Sequence, residues 1–438
     1  MTSAGDLSVF QRCAVLVCAV GFLVSCVYNP RGTPPPAQHT AEDAFLSQWP
    51  QFRGPFGTGT ASAAIPYPVS WDISTGRNVR WHRPVPHKGH SSPVVWNDLL
   101  FLTGEEGAVG YLSCLDASTG TLLWDRRLSQ ASPGDLPEGA TGGISAPTPA
   151  TDGRLVFALF ANGEMCCVDR SGREVWRKRI FSPLNSYGHA SSVALWKETV
   201  ILQVDSGVSG DAGLSFIAAL RKEDGSVVWK TPRPVANSWS TPVIARVAWG
   251  PVLVASGNPW VIAYNPDTGT ELWRVRCLDG DVVPTPVVAG NLVIAADGGT
   301  QAVAISLDGV DRGRVVWNTS EGVASIASPV SDGARVLFCE GGDFVCLNAA
   351  TAAVLWKAQA GTATWASPVI AGATVYVPDL SGKVFALEMG DSFRLLASSP
   401  VPGAVTATPA FSRGRIFIRT ESSVLCCAQD AAETARQK

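Results

Sequence analysis

The chain has almost no excess of charge. It carries 34 lysines and arginines against 37 aspartates and glutamates, with no basic run. A nucleic-acid partner needs a positive stripe or face, so that class is excluded. Long apolar stretches are missing too. The apolar core CAVLVCAVGFLV at residues 13–24 has 12 residues, whereas a membrane-spanning helix needs about 20. No C-x-x-C-H haem-attachment sequence occurs, and the segments considered next show no helical period.

What the chain has is repetition. A tryptophan returns at Trp81, Trp124, Trp176, Trp229, Trp273, Trp317 and Trp356, at intervals of 43, 52, 53, 44, 44 and 39 residues. In phase with it, a Ser/Ala/Thr-Pro step recurs at Pro93, Pro149, Pro242, Pro286, Pro329, Pro368 and Pro409; the third unit has SSVAL around Val193 instead. After each of these eight openings come a polar break, an apolar β-branched run such as LVFALF or TVILQV, a Gly-containing turn and a third run. A polar turn such as ASTG (117–120) then leads to the tryptophan strand. Four short strands per unit at this period predict an all-β fold, an eight-bladed β-propeller of four-stranded antiparallel blades. The eighth unit ends at SVLCC without a fourth strand, while NVRW (78–81) precedes any opening. The ring is therefore expected to close when this N-terminal strand completes the last blade, which removes free sheet edges. In the seventh unit Leu396 is expected at the tryptophan position.

The N-terminus reads as an address. Leu23-Val24-Ser25-Cys26 resembles the lipobox of bacterial lipoproteins, in which cleavage before the cysteine leaves it lipidated. An uncleaved anchor or an ordinary signal peptide is the alternative. Val27, rather than aspartate, after the cysteine favours the outer membrane. The expected organisation is a signal peptide (1–25), a lipidated Cys26 with a Pro-rich tether (26–48), an extension packing on the propeller (49–77), the propeller (78–428) and a polar tail (429–438).

Eight cysteines follow Cys26. Cys114, Cys167 and Cys346 share a slot of the third strand that holds Ala219, Ala263, Ala304 and Ala386 in other units. A slot accepting Ala or Cys is a small buried apolar site rather than a disulfide framework. In the pairs Cys166-Cys167 and Cys426-Cys427, one side chain is expected inward and one outward. Asp116, Asp169, Asp224 and Asp267 recur at the turns between the third and fourth strands, where aspartate serves turn formation.

The phrases CLDASTGTLLW (114–124) and AYNPDTGTELW (263–273), with the S/A-x-P openings, resemble the quinoprotein-type, or PQQ-binding-like, β-propeller family over residues 78–428. WPQFRGP (49–55) further resembles a non-dehydrogenase branch of secreted propellers. The lipobox, the eight blades and the compact length resemble the BamB-type outer-membrane assembly lipoproteins in architecture and address. The resemblance implies a PQQ and Ca²⁺ site only in the dehydrogenases of the family. Here the vicinal cysteines sit in repeat strands, and no Glu–Asn–Asp set stands out. The expected function is a non-catalytic, lipid-anchored periplasmic binding and assembly scaffold in cell-envelope or outer-membrane protein biogenesis, with no metal and no cofactor, with envelope or outer-membrane proteins as partners and a monomeric propeller. A PQQ-dependent dehydrogenase, or a propeller holding a polysaccharide or small ligand in its channel, are the alternatives. The loops entering the innermost strands break the repeat, so ligand-binding candidates lie there: His90, His189, Asn237, Trp239, Asp281 and Trp365.

Overall fold

The computed structural model describes residues 41–136, 143–182 and 184–430. The signal segment, Cys26, the tether up to residue 40 and residues 431–438 of the tail lie outside the described residues.

Eight four-stranded antiparallel sheets follow one another along the chain, one per repeat, and that of blade 7 gains a fifth strand, Thr60–Ala61, parallel to Val369–Ala371. Blade 1 begins at Val94–Trp96, and blade 8 comprises Ala410–Ser412, Arg415–Arg419, Ser423–Ala428 and the N-terminal strand Val79–Pro84. That last pairing places Val79 opposite Cys427 and Pro84 opposite Ser423, so the ring closes as the sequence predicts. No turn joins these two strands. Asn78 and Asp430 bind each other there instead: Asn78 N donates to the Asp430 carboxylate at 3.0 Å and Asp430 N to Asn78 Oδ1 at 2.8 Å.

The apolar runs lack alternation because both faces of a blade are covered by its neighbours. Every residue of Leu155–Leu159 is buried, whereas in the outer strand Glu174–Arg179 only Trp176 is. Cys166 packs into the layer between blades 1 and 2, with Phe101 and Leu112. Cys167 packs into the layer between blades 2 and 3, with Leu202 and Ala218. The expected inward and outward pair is thus corrected: both thiols are buried, on opposite faces of one blade, and free.

The cross-strand register explains the Ala/Cys slot. It lies directly opposite the recurring tryptophan: Cys114 to Trp124, Cys167 to Trp176, Ala219 to Trp229, Ala263 to Trp273, Ala304 to Trp317, Cys346 to Trp356 and Cys426 to Trp81. A small side chain leaves room for the indole. The ring then leans on the next blade, where its Nε1 donates to a turn carbonyl between the third and fourth strands. Trp124 reaches Arg170 O at 2.8 Å, Trp176 reaches Lys222 O at 2.8 Å and Trp229 reaches Pro266 O at 3.2 Å. The turn glycine serves this contact. A Cβ on Gly269, whose φ is +70°, would lie 2.3 Å from the Trp229 ring.

In blade 7 the register puts Ala397, not Leu396, opposite Ala386. The expectation for Leu396 is off by one residue: Leu396 is the bulged residue between Leu395 and Ala397, as Val175 is before Trp176 in blade 2. The tryptophan itself is absent for a physical reason: blade 8 has no turn between its third and fourth strands for an indole to grip. Trp71, from the N-terminal extension, is buried there instead and donates to Pro400 O at 2.9 Å. The turn role of aspartate holds for Asp116, Asp169 and Asp224, which accept backbone N–H groups two residues on. Asp267 differs: Asn265 caps that turn, and Asp267 binds Lys197 and the Trp196 indole.

Candidate functional site

The residue before each opening proline, or before Val193 in blade 3, is a serine or threonine in all eight blades: Ser92, Thr148, Ser192, Thr241, Thr285, Ser328, Ser367 and Thr408. Proline holds its predecessor extended in seven of the blades, and all eight residues line the axial cavity. Each side chain from Thr148 round to Thr408 accepts the backbone N–H of the preceding blade's counterpart. Ser92 N donates to Thr148 Oγ1 at 2.9 Å, Thr148 N to Ser192 Oγ at 3.0 Å, Ser192 N to Thr241 Oγ1 at 2.9 Å and Thr241 N to Thr285 Oγ1 at 3.2 Å. Thr285 N, Ser328 N and Ser367 N continue the series, each at 3.0 Å, to Ser328, Ser367 and Thr408. This belt encircles a cavity of about 250 Å³ on the axis.

The belt does not link Thr408 back to Ser92 among the described residues. Across that seam Arg419 of blade 8 donates through Nη1 to Ser91 O at 2.9 Å and to Thr103 O at 2.8 Å of blade 1. Burial pushes Arg419 down to about 10, with Glu105 opposing the shift.

Two residues before the belt lies the mouth, again one residue per blade: His90, Ala146, Ala190, Trp239, Val283, Ile326, Trp365 and Thr406. Three of the six expected ligand-binding residues, His90, Trp239 and Trp365, therefore meet at one cavity. His90 Nδ1 lies 3.0 Å from Thr406 Oγ1. Trp239 is buried and fixed by Nε1 donating to Gly188 O at 2.9 Å, whereas Trp365 is 48% exposed.

The other three do not line it. His189 sits one residue further from the belt than the mouth position, so alternation turns it into the packing beside Phe181. Burial there lowers its pKa to about 4, and Nε2 finds no partner among the described residues. Asn237 and Asp281 lie two residues above the mouth. Asn237 binds Ser186 Oγ at 2.7 Å, and Asp281 is exposed. The frame of the expected pair of histidines was off by one residue. The belt was visible in the sequence as the residue before each opening, but its hydroxyls needed the ring to gain meaning.

A buried ion pair stiffens the Trp239 loop. Arg233 Nε donates to Asp205 Oδ1 at 2.8 Å, and Nη1 to Tyr264 OH at 3.2 Å, with both ion-pair side chains fully buried. Burial alone would lower the Arg233 pKa; Asp205 raises it instead. Ser238, next to Trp239, donates to the same carboxylate.

On the side away from the mouth the N-terminal segment closes the channel. Phe52 lines the cavity. Trp49 and Val95 exchange backbone hydrogen bonds at 3.0 and 2.8 Å in blade 1, and Thr151 N donates to Pro50 O at 2.8 Å in blade 2. Leu195 N donates to Gln51 Oε1 at 2.8 Å in blade 3 and Ile370 N to Gly59 O at 2.9 Å in blade 7. Arg53, fully buried, donates to Ser328 O at 3.2 Å and Pro329 O at 2.6 Å in blade 6, and burial lowers its pKa to about 9. WPQFRGP is thus a plug, and the channel is a cup open at one end. Among the described residues, no Lys, Arg, Asp or Glu lines the cup.

The family model described as outer membrane protein assembly factor BamB matches residues 65–207, 215–361 and 311–438. The outer membrane protein assembly factor BamB of Yersinia pestis is 26% identical over 215 residues, 49% of each chain. The polyvinylalcohol dehydrogenase of a Sphingopyxis strain is 24% identical over 250 residues, 46% of this chain and 36% of that one. The chain thus spans about half or less of the length of these curated relatives. The crystal structure of BamB from Moraxella catarrhalis superposes with a TM-score of 0.57 at 17% identity, covering 80% of this chain and 99% of that one, a likeness of fold.

Proposed function

The chain belongs to the BamB family of eight-bladed propellers, and from that premise we propose that it is a non-catalytic, lipid-anchored scaffold that assists protein assembly in the cell envelope. It faces the periplasm, is held by a lipid on Cys26, and has envelope or outer-membrane proteins as partners. The observation that carries this reading is the repeat match from residue 65 to 438 joined to a channel lining without charge.

The quinone cofactor of the dehydrogenase branch does not fit that lining. PQQ is a tricarboxylate, and burying carboxylates without cationic partners is costly. Its Ca²⁺ takes 6–8 oxygen ligands, carboxylates among them, and among the described residues the cup offers hydroxyls but no carboxylate. The vicinal cysteines point into separate layers between blades, away from the cup.

The test is a deletion strain complemented with the full chain or with Cys26→Ser. The full chain should restore the level of folded outer-membrane proteins and fractionate with membranes. Cys26→Ser should be released in soluble form. A deletion that leaves outer-membrane protein levels unchanged would sink the assembly role. A serine variant that stays membrane-bound would sink the anchor.

A further inference from the structure

We propose that the cup binds a single neutral pyranose ring of the gluco type, at the end of a glycan chain. One apolar face of the sugar lies on an indole, and its hydroxyls face the Ser/Thr belt. This goes beyond the scaffold role and does not depend on it.

Four observations select this chemistry. The first is charge. An ionised ligand would be desolvated in a cup without a compensating side chain, which is unfavourable; the occupant is neutral. The second is hydrogen bonding. The belt hydroxyls from Thr148 round to Thr408 already accept a backbone N–H from the neighbouring blade, so each keeps its own O–H to donate. A ring of inward donors suits a ligand with many oxygen acceptors spread around its rim. A polyol is such a ligand, and an aliphatic or aromatic side chain is not.

The third observation is the pair of indoles. Trp239 is held rigidly by Gly188 O, while Trp365, three blades away, leaves nearly half of its surface in solvent. A pyranose with equatorial substituents has two faces of axial C–H groups, which match a π surface, while its oxygens point outward round the rim. An axial hydroxyl would spoil one face. The fourth is shape. About 250 Å³ is below the range of about 300–1,000 Å³ typical of drug-sized ligands, so one ring fits and a longer segment does not. Phe52 blocks passage through the channel, so the sugar is an end group. Among the described residues, Ala146 and Ala190, on adjacent blades, are the smallest of the mouth, a notch in side-chain size between His90 and Trp239 where the rest of the glycan would lie.

The experiment is calorimetric titration of the full chain in a polyoxyethylene detergent, since alkyl maltosides would compete. Cellobiose and N,N′-diacetylchitobiose are the probes; glucuronic acid and N-acetylphenylalaninamide are the controls. At least one disaccharide should bind saturably at concentrations up to about 10 mM, and neither control should. Trp365→Ala should weaken that binding about tenfold or more, since an aromatic platform contributes on that order. Its melting temperature should be unchanged, because the side chain is half exposed. Ala146→Trp, which fills the notch, should weaken binding as well. The proposal is overturned if neither disaccharide binds, if binding survives both substitutions, or if either control binds as tightly as the sugars.

Discussion

Each recurring tryptophan fills space opposite an alanine or cysteine, and in six of the seven, all but Trp273, its N–H also reaches a carbonyl of the next blade. Trp176→Phe keeps most of the ring and deletes the bond to Lys222 O; it should cost about 1–3 kcal/mol, the range for leaving a buried acceptor unpaired. Trp176→Ala should cost about 3–5 kcal/mol, because a cavity is added. Denaturant melts of the two variants separate the contributions. Cys166→Ala and Cys167→Ala together should leave the fold intact, because sibling blades already carry alanine at the Cys167 slot. His189 gives the protein an acid-sensitive element. Its folded pKa, about 4, lies below the ordinary histidine value of 6.5. Above pH 6.5 both states are neutral and the group adds no pH dependence. As pH falls from 6.5 toward 4 the unfolded chain takes up a proton that the folded chain refuses, so stability drops by up to roughly 3 kcal/mol. His189→Gln should flatten the fall in melting temperature between pH 6.5 and 4.5; an unchanged slope would assign that fall to other groups.

Among the elements, the strands were legible and their ends were not. A period of about 44 residues with β-branched runs determines four strands per blade whatever the loops do, and a missing last strand at one terminus with a spare at the other permits one closure. The Trp-to-Ala/Cys opposition was half visible: the slot could be read as small, but its partner appears only once the register is known. The same holds at the mouth. On an extended segment a shift of one residue sends a side chain to the other face; His90 reaches the cup and His189 does not. The plug was expected to pack on the propeller, but its place across the channel was not legible, because its partners, such as Ser328 for Arg53, are 275 residues away. Truncation separates these elements. Removing residues 27–47 should barely change the melting temperature. Removing 27–63 should lower it and open the channel at both ends, since the backbone bonds to blades 1, 2 and 7 and the Gln51 and Arg53 side-chain bonds to blades 3 and 6 are lost. Removing 27–84 should abolish cooperative unfolding, because blade 8 loses its fourth strand. Equal melting of all three would contradict the assigned closure.

At the scale of the whole molecule the eight blades share one belt, and the lining of that belt determines which chemistry the channel can host. Purified protein given PQQ and Ca²⁺ should show neither dye reduction with alcohols or sugars nor a rise in melting temperature, since a ligand specific for the folded state must raise its stability. A saturable thermal shift with PQQ would return the chain to the dehydrogenase branch. The path of the N-terminus has a mechanical consequence as well. Any pull on residues ahead of 41 reaches the plug before it reaches Val79–Pro84. The plug is bolted under blades 1, 2, 3, 6 and 7, so tension is shared among several inner strands and the closing strand is shielded from it. The segment acts as the strain relief of a cable. With the Cys26 lipid proposed above as its mooring, the propeller can be tugged without the ring springing open at its one non-covalent joint.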